Sequence, residues 1–189
     1  MPLSPSAPRE PIHTRRVICN GFHREDGLWD VEGHLVDTKT YDFDSQYRGT
    51  VTSGTPVHQM WLRLTIDDDL VIQDVEAVTD DSPFPPVCPT ITGNFARLKG
   101  LSLRPGFHNK VREILGGVEG CTHLVEMLGP VATTAYQTIY PYRERLRRQR
   151  GESSAPGAVK RPRFIDTCHG WSAKGEIVRQ LYPDFYSGD

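Results

Sequence analysis

The clearest pattern in this chain is an alternation of apolar and polar side chains that begins at residue 60. The regularly spaced apolar members are Met60, Leu62, Leu64 and Ile66. Asp67-Asp68-Asp69 follows, and a second apolar stretch then runs over residues 70–78. Alternation with a period of two is typical of a strand that buries one face. Residues 60–78 are therefore predicted to form a β-hairpin.

Short apolar stretches punctuated by glycine precede this hairpin. Residues 13–36 predict two or three strands, with a turn at Arg24-Glu25-Asp26-Gly27. Residues 1–11 contain four prolines and predict a disordered arm. Residues 42–55 predict a polar loop.

Helical spacing replaces alternation after residue 93. Residues Phe107, Val111 and Leu115 recur at helical intervals, and Gly116-Gly117 end that pattern. A longer helix is predicted to start near Cys121 and to reach about residue 140. The fold class that follows is α+β: an antiparallel sheet from about 13–78 packs on helices from about 93–140, in one domain over 12–140.

The composition changes again beyond the predicted domain. Residues 141–163 carry eight Lys or Arg against two Glu, which predicts a basic linker or a frayed helix end. Residues 164–189 regain apolar content and are expected to pack back on the domain. The basic run could bind nucleic acid, but it lacks interleaved aromatic residues, so a solvated linker is the preferred interpretation.

Overall composition narrows the class of protein. The chain has 189 residues, 37% of them hydrophobic, and a formal net charge of −2. That charge excludes a uniformly basic nucleic-acid coat, so nucleic acid is an unlikely partner. No apolar run approaches the roughly 18 residues of a membrane span, and the start MPLSPSAPREP lacks a secretory pattern. We expect a cytoplasmic protein with a small-molecule substrate and no membrane partner; the oligomeric state stays open.

The four cysteines point to chemistry rather than to disulfides. In a cytoplasmic chain, cysteines are more often free, metal-bound or catalytic. No CxxC pair and no common nucleotide-binding or hydrolase motif occurs in the sequence. Three of the candidate positions lie at the ends of predicted elements: His58, Cys88 and Cys121 with His123. These four residues predict a zinc site, because zinc accepts thiolate and imidazole together.

Cys121 is also the main candidate for a catalytic nucleophile. The start of a helix carries unpaired N–H groups and a partial positive charge, which stabilise a thiolate. The alternative is a buried cysteine that packs as a small hydrophobe. Cys19, between apolar residues, is assigned to the core. Cys168 and His169 are adjacent on a predicted strand, so their side chains point to opposite faces.

A second candidate group lies near the first turn. Arg24 could bind a substrate carboxylate through its forked guanidinium, with Asp26 as a further catalytic residue. Asp30, Glu32 and His34 share one strand face, which could be an acid/base site. The alternatives are an ion pair between Arg24 and Asp26 across the turn, and a solvated face of an edge strand.

Several rare strings recur in order along the chain and carry a resemblance. They are His13-Thr-Arg15, Arg24 to Leu35 (REDGLWDVEGHL), Val57-His-Gln-Met60, Leu64-Thr-Ile-Asp67, Gly120-Cys-Thr-His-Leu124 and Asp166-Thr-Cys-His169. Together these strings resemble an uncharacterised bacterial family of unknown function. The resemblance covers nearly the whole chain from residue 13, and it implies no established activity.

Residues 56–139 bear a weaker resemblance to U-type iron–sulfur cluster scaffold proteins. The shared order is His58, Met60, the hairpin, Cys88, Lys99-Gly100 and then Cys121 with His123. In those scaffolds three cysteines hold zinc or a nascent cluster, so the resemblance implies a scaffold-like core with added N-terminal strands. His58 stands where a cysteine is expected, which favours zinc over an iron–sulfur cluster.

These observations lead to one preferred function and two alternatives. The preferred function is a small-molecule enzyme of bacterial catabolism, a hydrolase, lyase or isomerase acting on a carboxylate- or carbonyl-containing substrate. A zinc ion would polarise a carbonyl or activate water, or Cys121 would act as a nucleophile with a histidine as base. The alternatives are a metal or iron–sulfur carrier, and a nucleic-acid or partner-binding module that uses the basic segment.

Overall fold

The structure is a computed structural model that describes residues 3–151, 161–162 and 164–188. The chain divides into two compact units, residues 1–144 and residues 145–189. The first unit holds the sheet and most of the helical residues, and every candidate residue discussed above except Cys168 and His169 belongs to it.

Six strands form two sheets. The strands are β1 (His13–His23), β2 (Trp29–Lys39), β3 (Phe43–Ser45), β4 (Gly49–Val51), β5 (Pro56–Ile66) and β6 (Ile72–Asp81). The main sheet is antiparallel with the order β1-β2-β5-β6, and β3 and β4 make a separate small hairpin. The antiparallel sheet and the hairpin at 60–78 are confirmed, whereas the segment predicted as a polar loop contains the short β3–β4 pair.

The helices follow the sheet, as the α+β prediction requires. A 3-10 helix spans Cys88–Leu98, α1 spans Phe107–Leu115, α2 spans Thr122–Gln149 and α3 spans Glu176–Leu181. Single 3-10 turns lie at Gly117–Glu119, His169–Trp171 and Pro183–Phe185. Helix α2 extends beyond the predicted end near residue 140, because its last turns consist mainly of Arg, Glu, Leu and Gln, which favour helices. Most of the predicted linker beyond it, residues 152–160, lies outside the described residues.

Burial alternates along β2 and shows which face of the sheet is covered. Trp29, Val31, Leu35 and Asp37 are buried, and the even-numbered residues between them are partly exposed. Gly33 belongs to the buried series, and a Cβ atom there would come within 3 Å of side-chain atoms of Met127 and Val131 in α2. Helix α2 therefore packs directly on this face, over a core that includes Met60, Leu62, Leu64, Leu124 and Leu128.

The direction of α2 across the sheet determines what its first turn can reach. His123 lies beside Asp37, near the end of β2, whereas Tyr142 contacts Trp29, at the start of β2. The helix thus runs antiparallel to β2. Its N-terminal turn meets the end of β2 and the start of β5, which are paired there through Asp37 and His58.

The second unit has a small core of its own. Ile165, Ala173 and Val178 are buried, and the aromatic side chains packed against them are Phe164, Trp171, Tyr182 and Phe185. Asp166, which has a positive φ of 66°, accepts a hydrogen bond from the backbone N–H of Ala173 and pairs with Arg161. The packing of residues 164–189 back on the domain stays a prediction.

Candidate metal centre

A buried carboxylate lies at the centre of the candidate site. Asp37 lies on the side of β2 that faces α2, two residues after the buried Leu35. At this position the alternating pattern of the strand would otherwise place another apolar residue. Its side chain is only 1% exposed. An ionised carboxylate in such a place requires charged or hydrogen-bonding partners, because the loss of its hydration is otherwise very costly.

Arg15 supplies the strongest of those partners. It faces Asp37 directly across the β1–β2 pair. Its Nε and Nη2 atoms donate to the two carboxylate oxygens of Asp37, each at 2.8 Å. This forked geometry is the strong form of an arginine–carboxylate pair. His13, two residues earlier on the same strand face, places its Nε2 atom 3.4 Å from Oδ1 of Asp37.

Two neighbouring imidazoles complete the group. Nδ1 of His58 lies 3.1 Å from Oδ2 of Asp37, and Nε2 of His123 lies 3.8 Å from the same oxygen. The ring centroids of His58 and His123 are 3.8 Å apart. Strand β5 contributes one ring and the first turn of α2 contributes the other, so the pair exists only because α2 crosses the sheet at this end.

Burial and neighbouring charges favour neutral imidazoles. Burial lowers the pKa of His58, the charge of His123 lowers it further, and Asp37 only partly offsets both effects. Burial also lowers the pKa of His123, with a further contribution from the charge of Arg15. A neutral imidazole is the form that binds a metal ion or accepts a proton.

The carboxylate is held in its ionised form by the same surroundings. Burial acts to raise the pKa of Asp37, but the hydrogen bonds and charge of Arg15, together with the charges of His58 and His13, outweigh it and lower that pKa. At neutral pH the group therefore combines one carboxylate with two neutral imidazoles. That set is a recurrent ligand set for zinc and for other divalent transition metals.

The donor atoms are close enough for one ion. One ligand atom from each of Asp37, His58 and His123 lies within 4.8 Å of the others. Ligands about 2.1 Å from a tetrahedral zinc ion lie about 3.4 Å from one another. The His58–Asp37 separation of 3.1 Å already meets that spacing, and the His123–Asp37 separation of 3.8 Å exceeds it by only a few tenths of an ångström.

Cys121 lies on the far side of His123. Its Sγ atom is 3.9 Å from Nδ1 of His123 and 3.9 Å from the Sδ atom of Met60. Cys121 immediately precedes α2, and its carbonyl accepts a hydrogen bond from the backbone N–H of Val125. The Cys121 sulfur is thus next to the imidazole of His123, which is in turn next to the carboxylate of Asp37.

Of the four metal ligands predicted from sequence, the structure brings His58 and His123 together and places Cys121 beside His123. Cys88 begins the 3-10 helix after β6 and is partly exposed. In the part of the chain that the structure describes, the clustered group contains Asp37 in addition to the two histidines and contains neither cysteine. The four-residue zinc set remains a prediction.

The residues around the first turn engage one another. Arg24 donates to both carboxylate oxygens of Asp26, at 3.0 and 2.7 Å, and lies 3.4 Å from Asp30. These contacts are the ion pair that the alternative interpretation expected. Arg15 lies near the start of β1, where it pairs with Asp37, whereas Arg24 comes just after the end of β1. Arg24 is therefore at the other end of the strand from Asp37. Its role in substrate binding stays a prediction.

The row of polar residues on β2 lies on the face turned away from α2. Glu32 accepts a hydrogen bond from Arg63, and Asp30 accepts one from Thr65. The ring of His34 stacks on that of Trp61, with centroids 3.5 Å apart. Each contact joins β2 to β5, as expected for cross-strand pairs on a partly solvated sheet face.

The remaining cysteines have separate environments. Cys19 is partly buried against the core, in agreement with its assignment there, and burial raises the pKa of its thiol. Cys168 is exposed in the second unit. All four cysteines are free thiols.

Sequence reasoning did not identify Asp37 or Arg15 as site residues. The signal for Asp37 was available, because it continues the odd-numbered series that begins with Trp29 and Val31 and therefore faces the core. For Arg15 the signal depends on pairing, since only the β1–β2 register places it opposite Asp37.

Comparison with known proteins finds a matching family profile. The profile of a family described as "Protein of unknown function (DUF2889)" matches residues 13–137. No curated protein and no solved structure matches the chain significantly. Within the described residues, no helix is both long enough and apolar enough to cross a membrane.

Proposed function

Because the chain belongs to this family of proteins of unknown function, we propose a function from its own geometry: a metal-dependent small-molecule enzyme whose zinc ion is bound by Asp37, His58 and His123. The observation that carries the proposal is the convergence of three donor atoms within 4.8 Å around a buried carboxylate. Three protein ligands leave a fourth position for water or substrate, which is the usual arrangement of a catalytic zinc ion.

The contacts around the ligands support a metal centre. A metal-binding histidine commonly has its second ring nitrogen held by another group, and Cys121 holds that position beside His123. Oδ1 of Asp37 keeps its contact with Nε of Arg15, while Oδ2 faces both histidines. The carboxylate can therefore bind the ion through one oxygen and remain paired with arginine through the other.

The chemistry that such a centre supplies is Lewis acidity. A zinc ion with an open position polarises a carbonyl oxygen or lowers the pKa of a bound water molecule to about 7. Both actions suit a hydrolase, lyase or isomerase that acts on a carbonyl-containing substrate. The lowered pKa values of His58 and His123 keep these residues available as ligands near neutral pH.

A second candidate uses the same residues without a metal. Cys121, His123 and Asp37 lie in the order nucleophile, base and orienting carboxylate, with separations of 3.9 and 3.8 Å. In this mechanism Nδ1 of His123 takes the thiol proton, and the Cys121 sulfur bonds to a substrate carbonyl carbon as the C=O π bond opens to an alkoxide. Collapse of that alkoxide breaks the bond to the leaving group, which takes the proton from His123, and water then releases the acyl group from the sulfur.

Elemental analysis of purified variants distinguishes the two candidates. We expect about one zinc per chain in the wild type and in Cys121→Ser, and none in His58→Ala. His108→Ala, in the exposed part of α1, is the matched control and should keep its zinc. Screening of the zinc-loaded protein against ester and carbonyl substrates then tests activity.

The metal-free candidate predicts a different set of results. No variant would then contain metal, and iodoacetamide would modify Cys121 faster than the exposed Cys168. His123→Ala would slow that modification, whereas His58→Ala would not. This combination would overturn the zinc proposal. Loss of zinc in Cys121→Ser would instead restore Cys121 as a ligand, as the sequence analysis predicts.

A further inference from the structure

Arg15 is the more exposed partner in its ion pair with Asp37. Its side chain is 36% exposed, whereas that of its partner Asp37 is 1% exposed. The forked contact with Asp37 uses Nε and Nη2 and thereby fixes the plane of the guanidinium. The remaining nitrogen, Nη1, is directed toward a different group.

That group is the carboxylate of Glu126. Nη1 of Arg15 donates to Oε2 of Glu126 at 2.8 Å. Glu126 lies three residues after His123 in the first turns of α2, and its side chain is 58% exposed. Exposed ion pairs contribute little to stability, because solvent screens them and two long side chains must be ordered. A dissolved carboxylate can therefore compete with Glu126 for the same nitrogen.

The Nη1 atom that contacts Glu126 belongs to the same guanidinium that contacts Asp37. Nη1 and Nη2 belong to one guanidinium, and Nη2 donates to the same Asp37 oxygen that faces both histidines. A carboxylate bound at Nη1 would thus be separated from that oxygen by the width of the guanidinium and two hydrogen bonds. A reacting carbonyl placed a few bonds from the carboxylate could reach the histidine side of the site.

We propose that Arg15 anchors the carboxylate of the substrate and that Glu126 occupies this position until a substrate replaces it. The substrate class is a short carboxylate that carries its reacting carbonyl or ester only a few bonds away. This inference rests on the proposed small-molecule enzyme, but the anchor consists only of Arg15, Asp37 and Glu126. Binding of the carboxylate itself therefore does not require the metal.

The test uses malonate as the probe and the full-length protein treated with EDTA, with binding measured by calorimetry. Glu126→Gln removes the internal competitor and should tighten malonate binding about tenfold. Glu126→Asp keeps the charge but shortens the reach to Arg15, so it should tighten binding nearly as much. Glu76→Gln is the matched control, because Glu76 makes the same 2.8 Å contact with Arg63 on the other sheet face. It should leave affinity unchanged.

Arg15→Lys should weaken malonate binding at least tenfold, since lysine cannot hold Asp37 and a second carboxylate in one plane. If that variant fails to fold, the two Glu126 variants decide the question. Unchanged or weaker binding of malonate in both Glu126 variants would overturn the anchor, as would equal binding of uncharged malonamide.

The outcome is separable from that of the metal proposal. Absence of zinc together with Arg15-dependent malonate binding would reject the metal centre and keep the anchor. Bound zinc together with malonate affinity that does not respond to Glu126 would keep the metal centre and reject the anchor.

Discussion

At the residue scale, the stability of the first unit should depend strongly on Asp37. Replacing Asp37 by Asn leaves the forked arginine facing a neutral amide and removes the negative charge beside both histidines. Removing one partner of a buried ion pair lowers the free energy of unfolding by roughly 3–5 kcal/mol. Because Arg15 is partly exposed, we expect a loss near the lower end of that range. Urea unfolding of the metal-free protein measures it.

The control for this prediction is a second arginine–aspartate pair. Arg48 and Asp81 lie 3.0 Å apart, and the Asp81 side chain is 33% exposed. Because solvent reaches Asp81, Asp81→Asn should cost about 1 kcal/mol or less. Equal losses in the two variants would show that burial of Asp37 contributes nothing to the strength of its pairing.

The two histidines also predict a dependence of stability on pH. Their pKa values are lower in the folded protein than the ordinary value of 6.5, so the unfolded chain binds protons at higher pH than the folded chain does. The free energy of unfolding of the metal-free protein should therefore fall as the pH decreases through about 6.5. Asp37 has the lowered pKa of a paired carboxylate, so its contribution is lost only at more acid pH, below the ordinary value of 3.8.

Unfolding in urea at a series of pH values checks this expectation. A variant with both His58→Gln and His123→Gln should lose most of the slope near pH 6 and keep the decline at strongly acid pH. An unchanged slope near pH 6 in that variant would assign the effect to other groups.

At the element scale, the close approach of α2 to the sheet depends on glycine in β2. A Cβ atom at Gly33 would lie 2.8 Å from a methyl carbon of Val131 and 2.9 Å from Met127. Gly33→Ala should therefore destabilise the first unit by about 1–3 kcal/mol through overpacking. Combining it with Val131→Ala should recover part of that loss, measured as a double-mutant cycle in urea.

Gly93→Ala is the control for that cycle. Nothing lies within 4 Å of a Cβ atom built at Gly93, and its φ is not positive. Its free energy of unfolding should stay within about 0.5 kcal/mol of the wild type. If Gly33→Ala were equally neutral, α2 would not be held against the sheet at this point.

At the scale of the whole molecule, the candidate centre belongs entirely to the first unit. That unit ends at residue 144, and the family match spans residues 13–137. A fragment of residues 1–151 retains all of α2 and should unfold cooperatively. It should also bind zinc in the same amount as the full chain, as measured by elemental analysis. Loss of zinc only in the fragment would show that the centre needs residues from the second unit.

The basic segment gives a second prediction at this scale. If residues 141–163 form a nucleic-acid-binding surface, binding should weaken steeply as salt increases, and their deletion should abolish it. We expect the full chain to bind nucleic acid at 150 mM salt no better than the chain from which residues 141–163 are deleted, in keeping with a net charge of −2. Tight, salt-sensitive binding by the full chain alone would favour the binding-module alternative. Fluorescence anisotropy with labelled single-stranded DNA and RNA measures it.

Local patterns in the sequence specify the main sheet, α1 and the start of α2, whereas the β3–β4 pair was predicted as a loop. Alternation from Met60 to Ile66 specified a strand with one buried face, and the following three aspartates specified its turn, because both signals are local. The apolar spacing from Phe107 to Leu115 specified α1 in the same way, with glycine at its end. The sequence also predicted His58 and His123 as metal ligands, since each lies at the end of an element and imidazole is a common metal ligand.

Packing between distant parts of the chain determines which of the candidate residues meet. The pairing of β1 with β2 placed Arg15 opposite Asp37, and the passage of α2 over Gly33 brought His123 to the same carboxylate. Cys88 does not belong to the group of Asp37, His58 and His123, although its residue type and its position at an element end also made it a candidate ligand in the sequence. The physical reason is that strand register and helix packing are set by contacts between residues far apart in the chain. Local periodicity specifies which face a residue occupies but not which distant side chain lies against it.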